Sequence, residues 1–255
     1  MIADLGCFLG QWPFRSLPAS GVDALSAMAA QQGVRRAAVS GFEEVFWEDG
    51  FEGARRVARE IAGRSWLVQF LALNPGFPGW EKDLERGVKE LGVQGVRLIP
   101  GYHGYALGSA GVKELLAAAR QMGLAVAMHV RLQDERMHWM RLFAPVAAQE
   151  VEAFLGESQG VRVAVMGMEI GAARQVAAAL KAREQAWVDW SRMRAMLFGL
   201  NDLVEAVGAE RIVYASLWPL QTPSSMLNLV KTGGFSPEQR EAMLWGNAQA
   251  FLGGE

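Results

Sequence analysis

Short apolar runs alternate along the chain with longer segments in which apolar residues recur every three or four positions. The runs have the length of β-strands and lie at residues 2–7, 36–40, 66–73, 95–99, 124–130, 161–166, 186–190 and 211–216. The segments between them have the period of amphipathic helices, most clearly at residues 22–32, 79–91, 112–122, 144–155 and 197–207. This repeated alternation of strand and helix predicts an α/β fold, a single (β/α)8 TIM-type barrel.

The predicted strands are typical of a parallel sheet that is covered on both sides. Residues 124–128 read Leu-Ala-Val-Ala-Met and are apolar on both faces, as strands buried between a barrel interior and its helices should be. A doubly wound open sheet would give a similar alternation, but the first strand lacks the glycine-rich turn that would favour it. No linker, low-complexity tract or charge block divides the 255 residues, so we expect one domain over residues 1–255.

Composition narrows the class of partner. Hydrophobic residues make up 51% of the chain, enough for a large core, and the formal net charge is −2. Without a cluster of Lys or Arg, the chain has no basic surface for nucleic acid or for an anionic membrane. A single cysteine excludes an internal disulfide, and the chain starts in an apolar strand without a charged leader. We therefore expect a cytoplasmic, soluble protein whose partner is a small molecule or a second copy of itself.

The first ten residues carry a motif. Residues 2–10 read Ile-Ala-Asp-Leu-Gly-Cys-Phe-Leu-Gly, which resembles the opening strand of the amidohydrolase-related family, Asp-x-His-x-His-x-Gly. Asp4 and Gly10 fit this motif, but Gly6 and Phe8 stand where the family has its two metal-binding histidines. Neither glycine nor phenylalanine has a side-chain lone pair to give to a metal ion.

The resemblance extends over nearly the whole chain. Residues 95–100, Gly-Val-Arg-Leu-Ile-Pro, are similar to the family's fourth strand, and residues 186–191 are similar to its seventh. Residues 210–219 match the eighth strand, and residues 245–252, Trp-Gly-Asn-Ala-Gln-Ala-Phe-Leu, match the closing helix. Membership of this family implies a barrel that hydrolyses its substrate with a divalent metal at the mouth.

The same resemblance implies that most of the metal ligands have been replaced. The family's eighth strand ends in an aspartate that binds metal and acts as general base, and Leu217 stands there in this chain. The sixth strand has no histidine anywhere in residues 163–171, whereas the fifth keeps His129. One histidine falls short of the three protein ligands of a catalytic zinc site, so the resemblance implies a degenerate metal site.

The remaining polar residues give the candidate site. Strand alternation would turn Asp4, Gly6 and Phe8 into the barrel and Cys7 outward, where it is a small buried hydrophobe. His129 lies at the end of a predicted strand, where substrates bind in barrels, or it satisfies a buried carboxylate such as Asp4. Arg97 is expected to point inward, where its charge must be paired by Asp4, by Glu169 or by an anionic ligand.

The candidate residues therefore fall into two groups. The catalytic candidates are His129 and Arg97. The ligand-binding candidates lie at strand ends or in the loops that follow, where barrels carry function, and are Asp4, Trp12, Arg15, Tyr102, His103, Glu169 and Trp218.

Three hypotheses about function follow. The first is a metal-free, non-hydrolytic barrel that binds a small molecule or acts as a partner subunit. The second is an active hydrolase, lactonase or lyase on a carboxylated substrate, with His129 as acid or base and Arg97 binding the anion. The third is an enzyme with a relocated divalent metal such as zinc, held by His129, His103 and Glu169, with His138 as a further candidate ligand.

Overall fold

The computed structural model describes residues 1–132, 146–192 and 198–254. Its strands form one eight-stranded parallel sheet in sequence order, in which each strand pairs with the next. Hydrogen bonds from Leu5 N to Tyr214 O and from Phe8 N to Trp218 O, both 2.9 Å, join the first strand to the segment after the last and close the barrel. The strands are β1 (Ile2–Leu9), β2 (Val34–Gly41), β3 (Leu67–Ala72), β4 (Gly95–Leu98), β5 (Ala125–His129), β6 (Val163–Met166), β7 (Ala186–Asp189) and β8 (Ile212–Val213).

Helices connect the strands and surround the barrel. The described α-helices are α1 (Val22–Gln32), α2 (Phe42–Phe46), α3 (Gly50–Ile61), α4 (Trp80–Arg86), α5 (Pro100–His103), α6 (Ala110–Met122), α7 (Ala148–Glu157), α8 (Ile170–Gln175), α9 (Ala177–Lys181), α10 (Gly199–Val207), α11 (Pro223–Thr232), α12 (Pro237–Glu241) and α13 (Asn247–Leu252). Helix α4 continues as a π-helix over Gly87–Leu91, and a second π-helix over Ala242–Gly246 leads into α13.

The predicted (β/α)8 barrel is confirmed, and each of the eight predicted strands overlaps an observed one. Helix α1 has the predicted bounds, and α6 begins two residues before the predicted start at position 112. The predicted helices at 144–155 and 197–207 begin outside the described residues and correspond to α7 and α10. Tyr102 and His103, expected at a strand end or in the loop that follows, lie in the short helix α5, where Pro100 occupies the first helical turn.

The two faces of the sheet have separate cores. Alternate strand residues, among them Leu5, Phe70 and Ala215, fill the barrel interior, which Phe251 of α13 closes at its amino-terminal end. The opposite residues pack against the surrounding helices, as Cys7 and Leu9 do with α1.

A β-bulge in β1 corrects the predicted direction of Asp4. The register with β2 shifts between Asp4 and Cys7, so that Leu5 and Gly6 together face one partner residue. Ala3 and Leu5 therefore face the barrel interior, and after the extra residue the next side chain to face it is that of Phe8. Asp4 lies with Cys7 on the side of the helices, not in the barrel, because an inserted residue reverses the alternation.

Candidate functional site

The carboxyl-terminal end of the barrel is covered by an apolar cluster, which we call the apolar cap. Its buried members come from β1, β3 and α2 and from the segments that follow β1, β4, β5 and β8: Phe8, Trp12, Leu17, Phe42, Val45, Ala72, Ile99, Leu132 and Leu217. The rings of Phe8 and Phe42 stack with centroids 5.0 Å apart, and Trp12 meets Phe42 edge-on at 5.1 Å. Barrel enzymes place their active sites at this end, so the cap occupies the usual position of the chemistry.

Arg97 lies fully buried beneath the cap. Its guanidinium donates to Ser40 Oγ at 2.7 Å and to the carbonyl oxygens of Ala38 and Leu5 at 2.8 and 2.9 Å, and it stacks over the Phe8 ring at 4.7 Å. Burial lowers the pKa of Arg97 to about 10, which leaves the side chain cationic at neutral pH. The expected ion pair with Asp4 or Glu169 is therefore wrong: backbone carbonyls, a hydroxyl and an aromatic face surround the charge instead.

His129 is a further neighbour of this guanidinium, which also donates to the Cys7 carbonyl oxygen at 3.4 Å. Its Nε2 lies 2.9 Å from Arg97 Nη1, which can only donate, so Nε2 accepts and the ring is neutral. Burial and the charge of Arg97 lower the pKa of His129 well below its usual value. His129 is 1% exposed, and its Nδ1 has no hydrogen-bond partner among the described residues. Asp4, which was a candidate partner, instead accepts from the backbone N–H groups of Gly6 and Ser216 at 3.0 and 2.9 Å.

The described residues do not fit a divalent metal at this end of the barrel. No group of three or more His, Cys, Asp or Glu side chains within the described ranges is placed to hold a metal ion. A Cβ atom at Gly6 would lie 2.8 Å from Ala215 Cβ and 2.9 Å from Leu217 N, so this backbone has no room for a histidine there. The Arg97 cation and the Phe8 ring fill the space beside His129.

The structure also separates the residues of the predicted relocated metal site. His129 is enclosed beneath the cap, whereas Glu169 precedes α8 and pairs with Arg192 at 3.4 Å. His103 lies at the end of α5. His129, His103 and Glu169 therefore do not form a ligand set, and His138 lies outside the described residues.

The other ligand-binding candidates lie in different surroundings. Trp12 belongs to the apolar cap, and the exposed Arg15 donates to the Leu220 carbonyl oxygen at 2.9 Å. Trp218 packs in the outer core with α1. Whether any of them binds a ligand stays a prediction.

A cavity of about 470 Å³ opens beside the cap, at the carboxyl ends of β2, β3 and β4. Two of the predicted residues, Tyr102 and His103, line it. Its volume falls in the range of small-molecule sites. Six Phe, Trp and Tyr side chains contribute to its wall and rim: Phe46, Trp47, Phe51, Phe77, Trp80 and Tyr102.

The polar groups of the cavity include several that the sequence analysis missed. Glu44 of α2 is buried and accepts from the backbone N–H groups of Gly41 and of Ala72, the latter at 2.7 Å. Burial raises the pKa of Glu44 to about 8. Burial lowers the pKa of His103 to about 4, which keeps its imidazole neutral, and its Nδ1 has no hydrogen-bond partner among the described residues. Glu48 and Asp83 complete the set of acidic groups.

A signal for these residues was present in the sequence. Residues 42–48 read Phe-Glu-Glu-Val-Phe-Trp-Glu and follow β2 directly, at the end of the barrel where function lies.

Comparison with known families places the chain. The family model described as Amidohydrolase matches residues 8–254, so the chain belongs to the Amidohydrolase family. No curated protein matches the sequence. The resemblance stated from the motifs is confirmed at the level of the family.

Solved structures share the fold at low sequence identity. A 2,6-dihydroxybenzoate decarboxylase from Rhizobium is 14% identical with a TM-score of 0.74, over 99% of this chain and 98% of that one. A dihydroxybenzoic acid decarboxylase from Polaromonas sp. JS666, with bound manganese and the inhibitor 2-nitroresorcinol, is 17% identical with a TM-score of 0.73, over 99% and 96%. A probable 2-pyrone-4,6-dicarboxylic acid hydrolase from Acinetobacter baumannii, with citric acid bound, is 13% identical with a TM-score of 0.68, over 99% of both chains.

Within the described ranges, no helix has the length and apolar character needed to cross a bilayer.

Proposed function

We propose that this chain is a metal-independent member of its family that binds a small molecule in the cavity at the ends of β2, β3 and β4. The observation that carries the proposal is the position of Arg97. A buried guanidinium and the Phe8 ring stand beside His129, where a metal ion would need open space and further ligands. A cation fixed at this place would also repel a divalent ion.

The cavity supports the second part of the proposal. It is concave, and both aromatic side chains and polar groups line it at the end of the barrel where barrel enzymes place their sites. Arg97 and His129 do not line it, so we assign them to the stability of the barrel. The apolar cap lies between the buried Arg97 and the cavity. Val45 and Ala72 are members of the cap, and they also line the cavity.

Metal analysis tests this proposal. Protein purified without chelator or immobilised metal should contain far less than one equivalent of zinc, manganese or iron by plasma mass spectrometry. Its melting temperature should be the same with and without EDTA. Near-stoichiometric metal that disappears in His129→Gln would contradict the metal-independent assignment.

A second candidate is an active decarboxylase or hydrolase, and the comparisons favour it. The three solved relatives carry enzyme names, two of them decarboxylases and one a hydrolase. In this chain the accessible acid–base groups would be His103, as a neutral imidazole, and Glu44, because both line the cavity. Turnover of an aromatic carboxylic acid or a lactone that is lost in both His103→Gln and Glu44→Gln would establish this activity.

A further inference from the structure

The charge of the cavity wall suggests the class of ligand. Glu44, Glu48 and Asp83 line the cavity, and none of the described residues that line it is a lysine or an arginine. Neither Glu44 nor Glu48 forms an ion pair with a described residue, and Asp83 makes one long contact of 3.9 Å with Arg86. Glu44 is mostly protonated at neutral pH, because burial raises its pKa to about 8. The negative charge of the wall therefore comes from Glu48 and Asp83, and it is only partly compensated.

The aromatic side chains around these carboxylates are placed to receive a cation. Trp47 and Phe77 stand at the rim with 49% and 56% of their surfaces exposed, whereas Trp80 is buried in the wall. Exposed aromatic rings beside a cavity leave their electron-rich faces open to a ligand, and such faces attract ammonium groups. The Phe51 ring already holds the Arg86 guanidinium at 3.9 Å.

The neighbouring cations do not line the wall, and they include Lys82 near Asp83 and Arg131 near Tyr102 as well as Arg86 and Arg97. Arg86 stacks on Phe51 and contacts Asp83, but it does not line the cavity. Arg97 lies beneath the cap and donates to carbonyl oxygens. A ligand in the cavity therefore meets carboxylates and aromatic rings directly, whereas these cations act on it only from behind the wall.

We propose that the cavity selects a small organic cation, an ammonium group attached to an apolar or aromatic body. The aromatic rim would hold the ammonium group by cation–π contact, Glu48 and Asp83 would supply the counter-charge, and Tyr102 and Trp80 would contact the apolar body. This inference rests on the proposed ligand-binding function and replaces the anionic ligand that Arg97 suggested in the sequence. It also sets the chain apart from the solved decarboxylases, whose names specify carboxylated aromatic compounds.

Calorimetric titration with matched probes tests the inference. Benzyltrimethylammonium, benzylamine, benzyl alcohol and benzoate share one ring and differ in charge. We expect the two cations to bind at least tenfold more tightly than benzoate. The affinity for benzyl alcohol should lie between that for the cations and that for benzoate. Removing the ring in Trp47→Ala should lower the affinity for benzyltrimethylammonium roughly 3- to 30-fold. The double variant Glu48→Gln, Asp83→Asn should lower the affinity for both cations about tenfold and leave the affinity for benzyl alcohol unchanged.

Two control variants keep the outcome specific. Glu52→Gln removes an acidic group of α3 that does not line the cavity, and Phe198→Ala removes an exposed ring at the start of α10. Both should bind every probe as the unaltered protein does, and the melting temperature of each variant reports whether it is folded.

The results separate this inference from the function on which it rests. If benzoate binds as tightly as the cations and Trp47→Ala weakens both, the cavity is a ligand site and the cation preference is wrong. If none of the four probes binds at millimolar concentration, both proposals are overturned. Tight cation binding that does not change in Trp47→Ala or in the double variant would place the site elsewhere and refute the inference.

Discussion

Replacement of Arg97 by methionine tests whether its guanidinium holds the barrel together. The guanidinium donates to Ser40 Oγ, to His129 and to the carbonyl oxygens of Leu5 and Ala38, with distances of 2.7 to 2.9 Å. Methionine has a similar length and no donor, so Arg97→Met leaves these buried acceptors without their present donor. The polar neighbours remain in place, and the variant cannot relax to an all-apolar core.

The expected loss of stability follows from two opposing contributions. Each buried acceptor that loses its donor costs about 1 to 3 kcal/mol, with carbonyls at the low end because they can accept a second hydrogen bond. Removing the buried charge returns several kcal/mol of desolvation free energy. Since no ionised partner is left behind, the net loss should fall below the roughly 3 to 5 kcal/mol of a broken buried ion pair, at about 2 to 4 kcal/mol. For a protein of this size each kcal/mol corresponds to about 2 to 4 °C in melting temperature.

Urea denaturation followed by circular dichroism measures this loss. Arg59→Met is the matched control, because Arg59 is mostly exposed and its ion pair with Glu52 lies on the surface. That variant should stay within about 1 kcal/mol of the unaltered protein. An Arg97→Met protein as stable as the control, but unable to bind any ligand or turn over any substrate, would refute the structural role and return Arg97 to the site.

Three further predictions concern the cap, the bulge and the cavity. Gly6→Ala should lower the free energy of unfolding by about 1 to 3 kcal/mol in urea, because its Cβ would collide with Ala215 and Leu217. Phe8→Ala should cost about 3 to 5 kcal/mol in the same assay, since the buried ring stacks on Phe42. Burial raises the pKa of Glu44 from 4.5 to about 8, so the folded state binds a proton more tightly than the unfolded state. Stability should therefore fall as pH rises from about 5 to about 8 and level off above that, and Glu44→Gln should flatten this fall.

Each of these three predictions has its own control and contrary result. Gly21→Ala adds a methyl group with no heavy atom within 4 Å and should change little, so an equal loss in both glycine variants would contradict the steric argument. Phe198→Ala removes a ring that is 65% exposed and should stay within about 0.5 kcal/mol, unlike Phe8→Ala. Glu52→Gln should keep the pH dependence of the unaltered protein, and a Glu44→Gln protein with that same dependence would assign it to another group.

The barrel could be predicted from the sequence because it produces a repeating pattern of apolar residues along the chain. The alternation of apolar runs and helical segments is set by burial on both faces of a parallel sheet, and each predicted strand overlaps an observed one. The direction of Asp4 could not be predicted in this way. Residues 2–10 are mostly apolar on both faces, so nothing in their pattern marks the extra residue of the bulge at Leu5 and Gly6.

The surroundings of Arg97 were harder to predict, because the groups that accept its hydrogen bonds are not side chains of opposite charge. Arg97 was correctly expected to point inward, but backbone carbonyls accept its hydrogen bonds, and no sequence pattern records which carbonyl faces a guanidinium. The cavity depends on two short helices that begin where strands end, α2 and α5. All three of Tyr102, His103 and Glu44 line this cavity. The sequence analysis named Tyr102 and His103 because they follow a strand, and it missed Glu44 although Glu44 does the same.

The apolar cap and the cavity are formed in part by the same residues. Val45, Ala72 and Tyr102 contact the aromatic cluster that covers the barrel and also line the cavity beside it. Phe46 meets the rings of Trp12 and Tyr102 edge-on, at 5.2 and 5.4 Å, and these contacts orient the inner wall of the cavity. Because aromatic side chains occupy the barrel axis, the open space of this end lies beside the axis, between α2, β3 and α5. The same packing therefore closes the space above the barrel axis and leaves the cavity at its side, with Phe8 and Phe42 at the centre of the cap.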